Sequence, residues 1–191
     1  MYRHTYEQKM VWFNPCLDPD FDAALSDLNI HSGTVLDIGA GTGSQAIALA
    51  ERGFKVTGTD ISDTAVEKAA SKMKNKSMDV VFMQDNILRT RLTTVFDLVI
   101  DRGCFHSVPS EARQIYLDTL KRLISTGGYL FLKCFSHQET GRYEDAVYSF
   151  SVEDINHIFR DHFNVCSIEK TVYNGVVKPS PEMLFCVLRR L

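Results

Sequence analysis

Val35-Leu36-Asp37-Ile38-Gly39-Ala40-Gly41-Thr42-Gly43 runs an apolar strand straight into three alternating glycines, and residues from Gly43 to Arg52 then continue at helical spacing. Glycines at a strand-to-helix junction let the backbone turn tightly and let a ligand lie against it without a Cβ in the way, while the helix N-terminal amides face that ligand. A plain turn does not require three of them. The stretch therefore reads as the first βα unit of a nucleotide-binding α/β fold.

Working outward, short β-branched runs alternate with helical segments, the pattern of a mainly parallel sheet with helices on both faces. Further strands are expected at Lys55–Asp60, Asp79–Gln84, Phe96–Asp101 and Tyr129–Cys134, each nearly all apolar like Thr34–Ile38, as buried parallel strands are. Helices are expected at Asp63–Lys74 and Glu111–Ile124, with Ser62 and Ser110 as N-caps and Gly53 stopping the first helix. Beyond Cys134 the pattern changes. Ser151-Val152-Glu153-Asp154 forms a capping box opening a helix to about Asp161, and Phe163–Val172 and Met183–Leu188 follow as strands. The link containing Lys178-Pro179-Ser180-Pro181 is too short for a crossover helix, so these two strands form an antiparallel pair. Ahead of the core, Phe21, Ala24, Leu25 and Leu28 lie at helical spacing in an N-terminal cap segment, 1–31. The expectation is one domain over 1–191: a doubly wound, Rossmann-like sheet of seven strands, mostly parallel, with a C-terminal antiparallel hairpin.

Composition bounds the rest. The 191 residues are 45% apolar and 24% charged, with a formal charge of −3, as in a globular chain and not a disordered one. Acidic balance disfavours nucleic acid as the main partner, since phosphate neutralisation needs basic excess. No window reaches the ~18 to 20 apolar residues that span a bilayer, and the first residues hold no signal-peptide run, so no membrane association is expected. Five cysteines lack any C-x-x-C pair and read as reduced thiols of a cytoplasmic protein. No Cys/His spacing suits zinc, so no metal is expected.

Asp60 ends the second strand 21 residues after Gly39, where doubly wound nucleotide sites place a carboxylate on a ribose diol. The dinucleotide fingerprint G-x-G-x-x-G would want glycine at 44, where this chain has Ser44, its third glycine falling at Gly43. Asp37, two residues before the loop, would repel a pyrophosphate but suits a cofactor bearing an ammonium group. An amino-acid-bearing nucleoside is favoured over a dinucleotide.

The ordered set VLDIGAGTG, GTDIS, QDNI, FDLVIDRGCFHSV and GGYLFLKCF, over roughly Ser32 to Leu191, resembles class I S-adenosylmethionine-dependent methyltransferases. The DRGCFH stretch, short chain and Trp-bearing N-terminus are most similar to the small-molecule branch of thiopurine, tellurite and halide methyltransferases. The resemblance implies S-adenosylmethionine as cofactor and S-adenosylhomocysteine as product. It implies Gly39, Ala40, Gly41 and Gly43 along the methionine and ribose, Asp37 near the ammonium, and Asp60 on the ribose diol. Ile61 would pack on the adenine, Asp85 would accept from its amino group, and the Asn86 backbone amide would face the ring. Asp101 would lie beside the methionine end, where substrates also enter.

The residues themselves leave alternatives. Asp85 and Asp101 also fit solvated strand ends, and Ile61 fits the core. His106 reads as general base, substrate-orienting hydrogen bond or loop packing, with an ordinary imidazole pKa near ~6.5; Asp101 is the other candidate for proton transfer. Trp12, Phe13, Arg102, Phe105, His106, Phe135 and Tyr143 fall in the cap or in loops after strand ends and are expected around a small-molecule acceptor. Asp101-Arg102-Gly103-Cys104 stands where methylases of DNA exocyclic amines carry Asn/Asp-Pro-Pro-aromatic, which disfavours that class. The expected reaction is in-line displacement of a sulfonium methyl. Rivals are a non-catalytic S-adenosylmethionine-binding protein on this fold and an NAD-dependent oxidoreductase. No sequence feature sets an oligomeric state.

Overall fold

A computed structural model describes residues 14, 16–74, 77–139, 147–175 and 179–191. Among these, seven strands form one sheet in the order β3-β2-β1-β4-β5-β7-β6. They are β1 (Thr34–Ile38), β2 (Lys55–Asp60), β3 (Val80–Gln84), β4 (Phe96–Arg102), β5 (Ile124–Phe135), β6 (Phe163–Val172) and β7 (Glu182–Arg190). Strands β1 to β5 pair in parallel, while β7 lies antiparallel between β5 and β6, so the expected mixed sheet and C-terminal hairpin are present. The order reverses between β1 and β4. Chains leaving these two strands part to opposite faces there, which opens a crevice at their C-terminal ends.

Side-chain alternation along the strands supplies two apolar layers. Leu36, Val99, Leu130, Leu132 and Leu188 face α4 (Arg113–Leu123) and α5 (Val152–Phe159). Val35, Leu98, Ile100, Phe131 and Val187 face α1 (Pro19–Asp27) and α2 (Ser44–Glu51). Helix α1 starts where Asp18 caps Asp20 N–H with proline at its first position, and it buries Phe21, Ala24 and Leu25 against the sheet. Ser62 caps α3 (Asp63–Ser71) through Ala65 N–H, and the Ser151–Asp154 capping box is complete.

Three local expectations are corrected. Ser110 does not cap α4: it opens a 3-10 turn over Ser110–Ala112 and bonds Glu111, so the α-helix starts only at Arg113. Strand β5 begins at Ile124 and not Tyr129, because the Gly127-Gly128 irregularity shifts the register from Phe96–Ile124 to Leu98–Tyr129 without ending the strand. Strand β3 is a partly exposed edge, with Val81 and Met83 open to solvent, since the link to β4 holds a single 3-10 turn, Ile87–Arg89, where a covering helix would otherwise lie.

Candidate functional site

The glycine loop sits at the mouth of the crevice. Gly39, Gly41 and Gly43 have φ of +68°, +55° and +80°, a left-handed path that glycine alone takes without penalty. Ala40 ties the loop to β2 by donating to the Thr59 carbonyl at 2.8 Å. A Cβ at Gly39 would stand 3.1 Å from that of Cys104, so the loops after β1 and β4 touch across the switch point. Gly43 carries a packing constraint of its own: a Cβ there would lie 2.5 Å from the Phe82 ring, and Gly58 meets the same ring at 2.6 Å. It is glycine so that α2 can pack on β3.

Three carboxylates converge behind this loop. Asp60 accepts from Gly41 N–H at 2.8 Å and from Ser62 N–H at 2.9 Å, fixing the loop to the end of β2. Asp37 is buried and accepts from Ala46 N–H at 3.1 Å. Burial pushes its carboxyl up to about 8, the Ala46 N–H pulls it down, and the neighbouring Asp101 and Asp60 add to the rise. A cation placed here would reverse that shift. Asp101 is fully buried; one oxygen accepts from the amides of Gly103, Cys104 and Phe105, the other from the Tyr116 hydroxyl at 2.6 Å. Its burial raises the carboxyl to about 6 against these hydrogen bonds. Both oxygens are committed to holding the loop after β4, so a place beside an incoming ligand or a proton-transfer role is not what its geometry offers.

On the other side of the glycine loop lies an apolar shelf. Ile61 is 53% exposed, which removes the core reading for it. Asp85 donates its backbone N–H to the Asp60 carbonyl, which brings it beside that shelf. One carboxylate oxygen accepts from Arg91 N–H at 3.4 Å, whereas Oδ2 is buried without a hydrogen-bond partner. A buried acceptor left bare costs ~1 to 3 kcal/mol, so this atom is poised for a donor. Asn86 caps the 3-10 turn by accepting from Leu88 N–H.

The residues expected around an acceptor divide. Trp12, Phe13 and Tyr143 lie outside the described residues. Phe105 is core, its ring 4.8 Å from Phe150 and 5.1 Å from Tyr116, because the 3-10 turn Phe105–Ser107 directs it toward α4 and α5. Arg102 is a strut: it pairs with Asp18 at 2.7 Å and donates to the Tyr173 hydroxyl and the Asn174 carbonyl. His106 stacks on buried Phe135 at 4.3 Å. Burial holds its imidazole down at about 3, far from the ordinary value expected.

Sequence reasoning missed the clasp that joins the N-terminal segment to this end of the sheet. Lys133, wholly buried on β5, reaches Asp18 at 2.8 Å and Asp20 at 2.5 Å, and Thr171 also donates to Asp20. Gln45, in the first turn of α2, accepts from Asp18 N–H and donates to the Cys16 carbonyl, so residues 16–18 run across the helix start next to the glycine loop. The signals were a lone lysine inside the apolar run Tyr129–Phe135 and the Asp18-Pro19 helix start.

A surface depression of about 350 Å³ lined by Leu25, Ile30, Arg52 and Phe54 lies elsewhere, where α1 and α2 end. Its walls hold none of this chemistry. Among the described residues no His/Cys/Asp/Glu group is arranged for a metal, and no helix is long and apolar enough to cross a membrane.

Known proteins similar to this chain are methyltransferases. Residues 35–128 match the family model described as methyltransferase domain. An uncharacterised methyltransferase of Schizosaccharomyces pombe is 36% identical over 110 residues, covering 57% of this chain and 76% of the relative. The 2-heptyl-1-hydroxyquinolin-4(1H)-one methyltransferase of Mycobacteroides abscessus is 28% identical over 152 residues, 78% of this chain and 66% of its own. In structure, the chain resembles the 1,6-didemethyltoxoflavin-N1-methyltransferase of Burkholderia thailandensis, solved with 1,6-didemethyltoxoflavin and S-adenosylhomocysteine. The TM-score is 0.80 at 20% identity, over 97% of this chain and 83% of that one.

Proposed function

This chain belongs to a methyltransferase family, and from that premise we propose that it uses S-adenosylmethionine to methylate a small-molecule acceptor by in-line displacement. When bound, S-adenosylmethionine supplies a sulfonium-activated methyl whose bonding electron pair leaves with sulfur as the acceptor atom attacks from the opposite side. What remains for the protein is to bind, align and exclude water, contributions worth up to ~7 to 11 kcal/mol for well-oriented partners.

The residues fit the cofactor end to end, and the observation that carries the reading is the pair of unmet demands at its two ends. The bare, buried Asp85 Oδ2 wants a donor, which an adenine amino group provides beside the exposed Ile61. The buried Asp37, pushed up by desolvation and by two neighbouring carboxylates, wants a cation, which the methionine ammonium provides. Between them Gly39, Ala40 and Gly41 form the floor, and Asp60 holds that floor while presenting oxygen lone pairs to a ribose diol. A dinucleotide pyrophosphate would add negative charge to this acidic end, which argues against the oxidoreductase reading.

The small-molecule acceptor is supported by the two relatives above whose names state such substrates. Asp101 and His106 are both poorly suited to act as general bases near neutral pH, the first by saturation and the second by a depressed pKa. The reaction then relies on an acceptor nucleophilic in its own right.

The test is calorimetric titration with S-adenosylmethionine and S-adenosylhomocysteine, followed by transfer of labelled methyl to a panel of thiols, phenols, amines and halides. Absence of binding by either nucleoside at millimolar concentration to folded protein overturns the proposal. Binding without transfer to any acceptor returns the protein to the non-catalytic class.

A further inference from the structure

We propose that His106 is a positioning residue for an uncharged, ring-bearing methyl acceptor, its buried Nδ1 hydrogen-bonding the acceptor while the imidazole and Phe135 form one wall of the subsite. The inference rests on the methyl-transfer reading of the crevice and names the kind of molecule that its open side takes.

The first observation is an unmet demand. His106 is only 8% exposed, and its Nδ1 is buried without a hydrogen-bond partner. Buried polar atoms are almost always bonded, so an orphan beside a ligand crevice marks a place where a ligand atom completes the pattern. Its ring lies flat on Phe135, 24° from parallel, and Phe135 belongs to a small cluster with Tyr173 and Met183, separate from the two main cores.

The second observation is position. Gly103 has φ +103°, and a Cβ there would lie 3.0 Å from His106 Cε1. The neighbouring Cys104 is in turn the residue that Gly39 faces. His106 thus stands two residues beyond the contact between the glycine loop and the β4 loop, on the far side of the sheet order from Ile61 and Asp85. Three amides of this loop are pinned by Asp101, so the imidazole is carried on a rigid turn.

Charge sets the class of acceptor. Asp37, Asp60 and Asp101 gather at the crevice, while the nearby cations Arg102 and Lys133 are engaged by Asp18 and Asp20. Among the described residues, neither of those two cations is left to pair a carboxylate or phosphate on the acceptor, and the cofactor ammonium is taken up by Asp37. The imidazole itself stays neutral, so it offers one hydrogen bond and no charge. An uncharged ring that extends the His106–Phe135 stack is the complement.

The test uses the full chain labelled with ¹⁵N-histidine and saturated with S-adenosylhomocysteine. Three matched pairs are titrated: phenol and 4-hydroxybenzoate, aniline and 4-aminobenzoate, benzyl mercaptan and 4-(mercaptomethyl)benzoate. At least one uncharged member should move the His106 Nδ1 resonance, and its carboxylated partner should need about 10-fold more ligand or greater to do so. His106→Asn, which keeps a polar atom near the Nδ1 position, should hold acceptor KM within about threefold, whereas His106→Phe keeps the stack and should raise it about tenfold with S-adenosylhomocysteine affinity unchanged. A silent His106 resonance with every uncharged probe, carboxylates that bind as well as their partners, or a His106→Phe variant matching the parent each overturns the assignment. S-adenosylhomocysteine failing to bind the parent instead overturns the methyl-transfer reading and this inference with it.

Discussion

The Asp60 carboxylate accepts the Gly41 backbone N–H at 2.8 Å, a hydrogen bond that spans 19 residues and locks the glycine loop onto the end of β2. One side chain therefore shapes the cofactor floor and is itself proposed to hold the ribose. Asp60→Ala removes both, and since a charge-assisted hydrogen bond is worth ~1.5 to 3 kcal/mol, S-adenosylmethionine affinity should fall roughly 10- to 150-fold. Calorimetry on parent and variant checks this, with a smaller loss expected for a 2′-deoxy analogue. Equal affinities would leave Asp60 as a loop strut only.

Asp37 makes binding pH-dependent. In the free protein its carboxyl titrates at about 8, against about 3.9 unfolded, so the folded state holds a proton that the unfolded state has lost between those values. Stability of the free protein should accordingly fall as pH rises from about 4 to about 8. An ammonium group bound alongside favours the ionised carboxylate, so binding at pH 6 to 7 should release a proton and tighten as pH rises. Titrations in buffers of different ionisation heat measure that proton. Asp37→Asn should abolish the release and flatten the stability slope; a parent that releases none contradicts the placement of the ammonium group.

Much of this was legible in the sequence because parallel strands buried on both faces are short and apolar, and Thr34–Ile38 and Lys55–Asp60 fall at their expected bounds. The antiparallel Phe163–Val172 also does, bounded by the α5 capping box before it and the Pro-containing link after it. The glycine loop and Asp60 were readable because backbone conformation and residue spacing are local properties. The acceptor side was not. Phe105 and Arg102 lie in a loop that sequence places near the crevice, but whether a side chain turns toward ligand or core is decided by partners such as Phe150 and Asp18, 45 and 84 residues away. The depressed pKa of His106 is likewise a consequence of burial, which no spacing rule reports. Edge exposure of β3 depended on a crossover too short to hold a helix, a signal that was present in the eleven residues between Gln84 and Phe96.

Gly43 is constrained twice. Its φ of +80° disfavours any side chain, and a Cβ would stand 2.5 Å from the Phe82 ring and 3.0 Å from Ala69. Gly43→Ala should destabilise the fold by about 1 to 3 kcal/mol from backbone conformation, with the ring contact adding to it. The double variant Gly43→Ala/Phe82→Leu should regain the steric part alone, because the left-handed φ is untouched. Denaturant unfolding of the four members of this cycle separates the two contributions. Full recovery in the double variant would show that the ring contact, and not φ, makes glycine necessary.

Lys133 sits at the centre of the clasp that binds the N-terminal segment to β5, wholly buried and bonded to Asp18 at 2.8 Å and Asp20 at 2.5 Å. Removing one member of a buried ion pair leaves the other desolvated and uncompensated, so Lys133→Met should cost about 3 to 5 kcal/mol, toward the lower end because Arg102 still pairs with Asp18. Neutralising the stranded partners, in Lys133→Met/Asp18→Asn/Asp20→Asn, should recover a large part of that loss, since what destabilises is the unpaired charge and not the missing contact. Thermal unfolding of both variants checks the order. Because Gln45 carries residues 16–18 across the start of α2, the single variant should also loosen that segment and speed amide exchange at Asp18, whose N–H bonds the Gln45 side chain. A Lys133→Met protein as stable as its parent, with Asp18 equally protected, would mean that apolar packing of Phe21 and Leu25 holds the segment without the clasp.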